Sequence, residues 1–343
     1  MQTKNKGEYM SNQILNNLLK EYDKKRIKAE LDLEERKESL YSSIPRLKQI
    51  EDELNNYAIN TAKELLLNNN SSLENLHNKI EDLKNEKNEI LLKNNLSLNY
   101  LKPIYECNIC NDTGYVLKNN YKTELCNCLK QKLLNISYNK SNMSNLDKEN
   151  FNTFNENLFS DEVDISKYKL NISPRRNIIN IKEKCIEFVE NFSNLEQKNL
   201  LFTGNTGLGK TFMTNCIANE LLKKGKTVLY QTAPVLLDTI IDNKLNKQKD
   251  EEFYKNVLEV DLLIIDDLGT ECMNSMKLSE LFTIINTRLL NLNSRSTKTI
   301  ISTNLNLNNI FSNYEERIGS RIAGFYDIYY FFGDDLRFKK IKS

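Results

Sequence analysis

An apolar strand that runs into a glycine-rich turn and then into a helix constrains this chain more than any other feature. Leu200-Leu201-Phe202-Thr203 is followed by Gly204-Asn205-Thr206-Gly207-Leu208-Gly209-Lys210-Thr211. Phe212 to Lys223 then reads as a helix that Gly225 ends. The turn fits G-x-x-x-x-G-K-[ST] in the strand–turn–helix setting that this motif requires. Its glycines let consecutive backbone N–H groups turn inward around a phosphate, and the helix N-terminus adds partial positive charge. Lys210 is expected to reach the β- and γ-phosphates of a nucleoside triphosphate, and the Thr211 hydroxyl to ligate Mg2+. The glycines near Gly319 and Gly333 do not repeat the pattern.

Residues 175–343 alternate strand-like and helix-like runs. Lys198 to Thr203, Lys226 to Thr232, Asp261 to Ile265 and Lys298 to Thr303 are short and β-rich, which predicts an α/β domain with a parallel sheet. Leu262-Leu263-Ile264-Ile265 ends in Asp266-Asp267. Ligands of such sheets sit at the carboxyl ends of the strands. Asp266 is therefore placed to hold Mg2+ and Asp267 to polarise an attacking water. Two adjacent acids with nothing to neutralise them call for a cation. Asn304 follows the last of these strands and either orients that water or serves as a turn residue. Arg317 and Arg321 share one helical face. One of them is an arginine finger reaching a neighbouring subunit, or they pair with Glu315 or Glu316 at the surface. Arg337 is expected to approach the γ-phosphate within its own subunit.

The rest of the chain reads differently. Residues 1–100 are expected to be helical. Leu47, Ile50, Leu54 and Tyr57, then Leu73, Leu76, Ile80, Leu83 and Ile90, follow a coiled-coil seam. The polar break Asn68 to Ser72 between the runs, and Pro45 near the start of the first, predict an antiparallel hairpin, either a spacer or a partner-binding module. Residues 101–136 hold Cys107-Asn108-Ile109-Cys110 and Cys126-Asn127-Cys128, two chelating pairs with 15 residues between them. Four thiolates suit a closed tetrahedral Zn2+ site, with Asp112-Thr113-Gly114 as its turn; free thiols or a redox pair are the alternatives. Residues 137–174 are rich in Asn, Ser, Asp and Lys, as a linker would be, with Phe151, Phe154 and Phe159 available to pin it.

The single histidine, His77, lies in a polar helical stretch and reads as a solvated residue, which leaves histidine-based catalysis without support. The formal charge of +1 announces neither a nucleic acid nor a membrane. No apolar run is long enough to cross a bilayer, and Met1 to Met10 has no signal-peptide core. With 7 cysteines and no export signal, a reducing, cytoplasmic location is expected.

The order of phosphate loop, acid-tipped strand, Asn304, paired arginines and late arginine resembles the AAA+ ATPases, and within them the DnaC/DnaI/IstB group. Carried across by position, Lys210 and Thr211 look like Walker A, and Asp266 and Asp267 like Walker B. Asn304 looks like sensor I, Arg321 (or Arg317) like the arginine finger, and Arg337 like sensor II. Asp267 stands where many AAA+ proteins carry Glu, which shortens the base. The helical region, cysteine knuckle and Phe-rich segment are similar to the DnaC/DnaI-like replication proteins of low-GC Gram-positive bacteria. The resemblance implies an ATP-hydrolysing loader that grips the hexameric replicative DNA helicase through its N-terminal part. It also implies self-association through the ATPase domain and binding of single-stranded DNA. An IstB-like transposition helper is the nearest alternative, and an ATP-binding adaptor with little hydrolysis a further one. Six residues follow Arg337, so a duplex-reading domain of the DnaA kind is not expected.

Overall fold

The computed structural model describes residues 4–66, 70–118, 122–139, 146, 148–245, 251–291 and 296–338, with the side chains of 4–12 and 60–75 left aside. Asn68, Asn69 and the Leu73 side chain, part of the expected hairpin, lie outside what is described. By packing, Asn16–Glu124 form one unit and Leu125–Ser343 belong to a second.

Among the described residues the first unit holds most of α1 (Lys4–Ser43), together with α2 (Pro45–Leu66) and α3 (Asn70–Lys93). Pro45 opens α2, where a missing N–H costs nothing. The expected hairpin is the α2/α3 pair. Leu47, Ile50, Leu83 and Leu91 are buried. The polar Lys87 in the seam meets Glu51 at 2.7 Å. Arg46 donates to both carboxylate oxygens of Glu86, at 2.7 and 2.8 Å, and so fixes an antiparallel register. The sequence did not single out α1. Its buried residues Leu18, Tyr22, Ala29 and Leu33 are spaced by 4, 7 and 4, but Tyr and Ala weaken the hydrophobic signal. Arg36 ties α1 to the backbone of Tyr100 and Lys102 at 2.7 and 3.2 Å. A two-stranded ribbon, β1 (Tyr115–Leu117) and β2 (Thr123–Leu125), follows.

The second unit starts with α4 (Asn127–Ser137), the short α5 (Ile165–Tyr168) and α6 (Pro174–Glu190), capped by the Ser173 hydroxyl. Then come β3 (Asn199–Gly204), α7 (Lys210–Lys223), β4 (Val228–Thr232), α8 (Ala233–Leu245) and α9 (Glu251–Glu259). These are followed by β5 (Leu262–Leu268), α10 (Ser275–Asn291), β6 (Lys298–Thr303), α11 (Leu307–Phe325) and β7 (Tyr326–Phe331). The sheet is parallel throughout, in the order β4-β5-β6-β3-β7. Alternate residues of each strand serve opposite faces. Leu263, Ile265 and Ile301 pack with α8, α9, α10 and α11. Leu262, Ile264 and Ile300 pack with α6 and α7. Helices thus cover both faces of an AAA+-like P-loop sheet, as the sequence predicts.

Three further features shape this unit. β7 was not foreseen; it follows α11 without a turn signal, and as an edge strand it alternates half-buried and exposed residues between two buried ends. The three phenylalanines pin the segment read as a linker, as the sequence allowed: Phe159 is 3% exposed in the core beside α6 and α7, with Phe151 and Phe154 against it. Three aromatics outweigh its polar composition. Finally, Arg288 is buried, and among the described residues no carboxylate is in contact with it. Its guanidinium donates to the carbonyls of Val257, Val260 and Lys298 and to the Thr299 hydroxyl at 2.7–3.1 Å. Burial pulls its pKa down to about 10. Among the described residues no helix is long and apolar enough to cross a membrane.

Candidate nucleotide site

The strand order brings the sequence motifs together. β6 lies between β3 and β5, so the carboxyl ends of all three meet at one place. Gly204 to Gly209 form the turn between β3 and α7. Leu208, 2% exposed, anchors the turn in the core, while Asn205 and Thr206 stand exposed at its tip. Gly207 has φ +74, and a Cβ there would lie 1.9 Å from Asp335 Oδ1. A side chain is therefore excluded twice, by conformation and by space. Gly209, with φ +85, caps α7. The first turn of α7 presents N–H groups that the helix itself does not use.

Lys210 is 7% exposed. Its ammonium donates to Gly204 O at 2.6 Å, Asn205 O at 2.8 Å and Asn304 Oδ1 at 2.8 Å. Burial pulls its pKa down, and Asp267 and Asp266 oppose that shift. A lysine held this way is a cation already stripped of much of its water, facing the inside of a glycine cradle. That fits a polyphosphate.

Asp266 is 4% exposed at the end of β5. Its Oδ2 accepts from Thr211 at 3.3 Å and from the Tyr230 hydroxyl at 2.5 Å. Its Oδ1 accepts from the Ser302 hydroxyl and, at 3.1 Å, from Asp267 N. Four neutral donors thus hold Asp266 in place, which orients its carboxylate without cancelling its charge. β5 bulges here, and Asp267 has φ +56. Its side chain is half-buried. Burial first, and Asp266 second, push the Asp267 pKa up, while Lys210 pulls it down. The hydroxyl of Thr211 and the carboxylate of Asp266, both oxygen donors, suit a Mg2+ ion.

The arginines divide into two groups. Arg317 and Arg321 stack on the Phe282 ring at 4.4 and 4.5 Å, in an open hollow with Glu315, Glu316 and Ser320. No phosphate-loop residue lines that hollow. Arg317 pairs with Glu315 at 2.8 Å. Arg321 donates instead to Asn286 Oδ1 at 2.8 Å and to Arg317 O at 3.0 Å. Arg337 is held by Asp335, at 2.9 Å and 2.5 Å, beside Gly207.

The four sulfurs of Cys107, Cys110, Cys126 and Cys128 lie within 4.8 Å of one another. Sulfurs around a tetrahedral metal with bonds of about 2.3 Å are about 3.8 Å apart, so the cluster could hold such an ion after small adjustments. The Asp112 carboxylate accepts from Glu106 N and Cys107 N, both at 2.9 Å, and so braces the first pair. Cys185 and Cys216 are buried in the second unit, and Cys272 is exposed.

A model of the IstB-like ATP binding protein family matches residues 153–318. The uncharacterized protein YdaV of Escherichia coli (strain K12) is 30% identical over 112 residues, 30% of this chain and 45% of that protein. The replicative helicase loader DnaC of the same strain is 35% identical over 94 residues, 27% of this chain and 38% of that protein. Residues 153–318 form an IstB/DnaC-like AAA+ domain. The match spans less than half the length of either curated relative. The crystal structure of the DnaC helicase loader is similar at 23% identity, with a TM-score of 0.44 over 55% of this chain and 99% of that one.

Within the AAA+ domain, Lys210, Thr211, Asp266, Asp267 and Asn304 converge, whereas Arg317 and Arg321 stand apart and Arg337 borders the loop. Sequence reasoning missed Tyr230, Ser302 and Phe282. The first two each carry a hydroxyl directly after two apolar residues of a buried strand, Val228-Leu229 and Ile300-Ile301, which is the signal that could have found them.

Proposed function

We propose that this chain hydrolyses ATP and loads the hexameric replicative DNA helicase onto single-stranded DNA. The observation that carries the reading is the convergence of Lys210, Thr211, Asp266, Asp267 and Asn304 inside the AAA+ domain. The loader part of the reading draws on the relative that bears that name. It also draws on the helical unit and cysteine knuckle ahead of the ATPase, which would grip the helicase.

In this reading the phosphate loop and the α7 N-terminus bind the triphosphate, and Lys210 Nζ gives up carbonyl partners for phosphate oxygens. Thr211 and Asp266 would hold Mg2+, which supplies charge neutralisation at the phosphates. Asp267 takes a proton from the attacking water, a task for which a raised pKa suits it. Asn304 orients that water. Arg321 acts in trans on a neighbouring copy, because Arg317 is already tied to Glu315. Arg337 exchanges Asp335 for the γ-phosphate. The cysteines hold a structural Zn2+, and the protein works in the cytoplasm.

A second reading, an IstB-like transposition helper, is favoured by the family model itself. Affinity capture with the full-length chain, ATP and the host's soluble proteins separates the two. Retention of the replicative helicase, with ATPase activity that responds to single-stranded DNA, supports the loader. Retention of a transposase without the helicase refutes it.

A further inference from the structure

The outer edge of β4 has an unusual partner. β4 pairs with β5 on one side, and on the other it meets side-chain amides from α4 and the residues after it. Gln131 Nε2 donates to Val228 O at 3.0 Å, and Val228 N donates to Gln131 Oε1 at 2.7 Å. Asn139 Nδ2 donates to Val228 O at 2.9 Å, and Tyr230 N donates to Asn139 Oδ1 at 3.0 Å. Asn135 Oδ1 accepts from both amides, at 2.8 and 3.1 Å, and so links them. Gln131 is 8% and Asn139 1% exposed, so these bonds are shielded from water and geometrically strict. The two amides imitate the donor–acceptor alternation of a neighbouring strand.

Tyr230 stands at both ends of this arrangement. Its backbone N–H sits in the Asn139 amide. Its side chain, 2% exposed, lies in the core on the α6/α7 face. In register Tyr230 faces Ile264 and Thr232 faces Asp266, so its ring reaches diagonally to the carboxylate two residues further along β5. A phenylalanine would fill the same core volume. A hydroxyl carried into that core is costly unless it finds a partner, and the partner is Asp266 Oδ2. Ser302 and Asp267 N fix the other carboxylate oxygen. The long 3.3 Å contact from Thr211 is the loose side, so Tyr230 is the group that sets the angle at which Oδ2 faces Thr211.

We propose that Tyr230 is a positioning residue for the magnesium-holding carboxylate of Asp266, and that the Gln131/Asn139 amides set the place of Tyr230. The orientation of Asp266 is then coupled to α4, which has Cys126 as its N-cap and Cys128 in its first turn. The inference rests on Asp266 as the magnesium ligand of a nucleotide site.

The test uses the full-length chain and a fluorescent ADP analogue, titrated with and without Mg2+. Tyr230→Phe is expected to raise the Mg2+ concentration for half-maximal nucleotide binding by about tenfold or more, the usual effect of removing a group that orients a metal ligand. Its magnesium-free affinity and melting temperature stay near those of the wild type. Asn139→Ala moves the Mg2+ midpoint the same way by roughly threefold, within the usual span of coupling effects. Added to Tyr230→Phe, it has no further effect on the midpoint. Gln131→Ala takes its place if Asn139→Ala does not fold.

An unmoved midpoint in Tyr230→Phe overturns the proposal, whatever happens to melting. Full additivity of the two substitutions overturns its coupling half. If the wild type shows no magnesium-dependent binding at all, the nucleotide-site reading fails first and the inference with it.

Discussion

Replacing Lys210 with methionine isolates the ammonium from its stem. Met has nearly the same length, so the packing around the buried chain is retained. The ammonium is shared among two carbonyls and the Asn304 amide at 2.6–2.8 Å. Binding exchanges these neutral acceptors for charged phosphate oxygens, and a bond to a charged group contributes about 1.5–3 kcal/mol. Taking about 3 kcal/mol for the exchange, affinity for Mg–ATP falls about a hundredfold. Thermal shift gives a direct reading. At a ligand concentration of about 100 times the wild-type Kd, the wild type gains about 2.7 kcal/mol and the variant about 0.4 kcal/mol. For a domain of this size the lost difference is roughly 5–9 °C in Tm. If Lys210→Met retains the wild-type ATP-induced shift, the phosphate loop is not the nucleotide site, and the roles assigned to Asp266 and Asp267 fall with it.

Other substitutions address the remaining roles. Asp267→Asn keeps a residue that tolerates φ +56, so Mg–ATP affinity stays within a few-fold while steady-state hydrolysis drops by roughly 10²–10⁴. Arg321→Ala lowers turnover by about 10³, and Arg317→Ala much less. Adding Arg321→Ala protein to an excess of Asp267→Asn protein restores activity if the finger acts in trans, and equal losses in the two arginine variants would contradict the assignment. Purified wild type should carry zinc by elemental analysis, Cys110→Ser should lose it, and Cys272→Ser should keep it; zinc-free wild type would end that reading. Lys298 is fully buried, and burial pulls its pKa down to about 8. The unfolded chain therefore binds the extra proton between about pH 8 and the usual lysine value. Wild-type stability relative to Lys298→Met should rise across that window, by up to about 3 kcal/mol in urea melts, and a flat difference would refute the burial argument.

The parts of the fold legible in the sequence were those decided by neighbouring residues. The phosphate loop is a local backbone shape, written by Gly204, Gly207 and Gly209 and by the strand and helix on either side. β5 announces itself by an unbroken apolar run, as a strand buried on both faces must. Groups that meet only through the order of the strands were silent. Ser302 and Tyr230 reach Asp266 because β6 and β4 flank β5, which no window of sequence reveals. Likewise Gln131 falls in the stretch read as a cysteine knuckle and Asn139 at the start of the expected linker, although each completes the edge of a sheet some 90 residues further on. β7 was missed for a different reason: Ile328 to Phe332 is an unbroken apolar and aromatic run, but the strand starts where a helix stops, with no turn before it to separate the two.

The left-handed backbone at residue 267 also limits which acid can serve there. Aspartate and asparagine visit that region with little penalty, because their short polar arms bond to nearby peptide groups. Glutamate has no such relief and would meet a cost of about 1–2 kcal/mol before its extra methylene gained any reach. In this fold, then, arm length and chain handedness are not independent choices: a longer acid would first require the strand to lose its bulge.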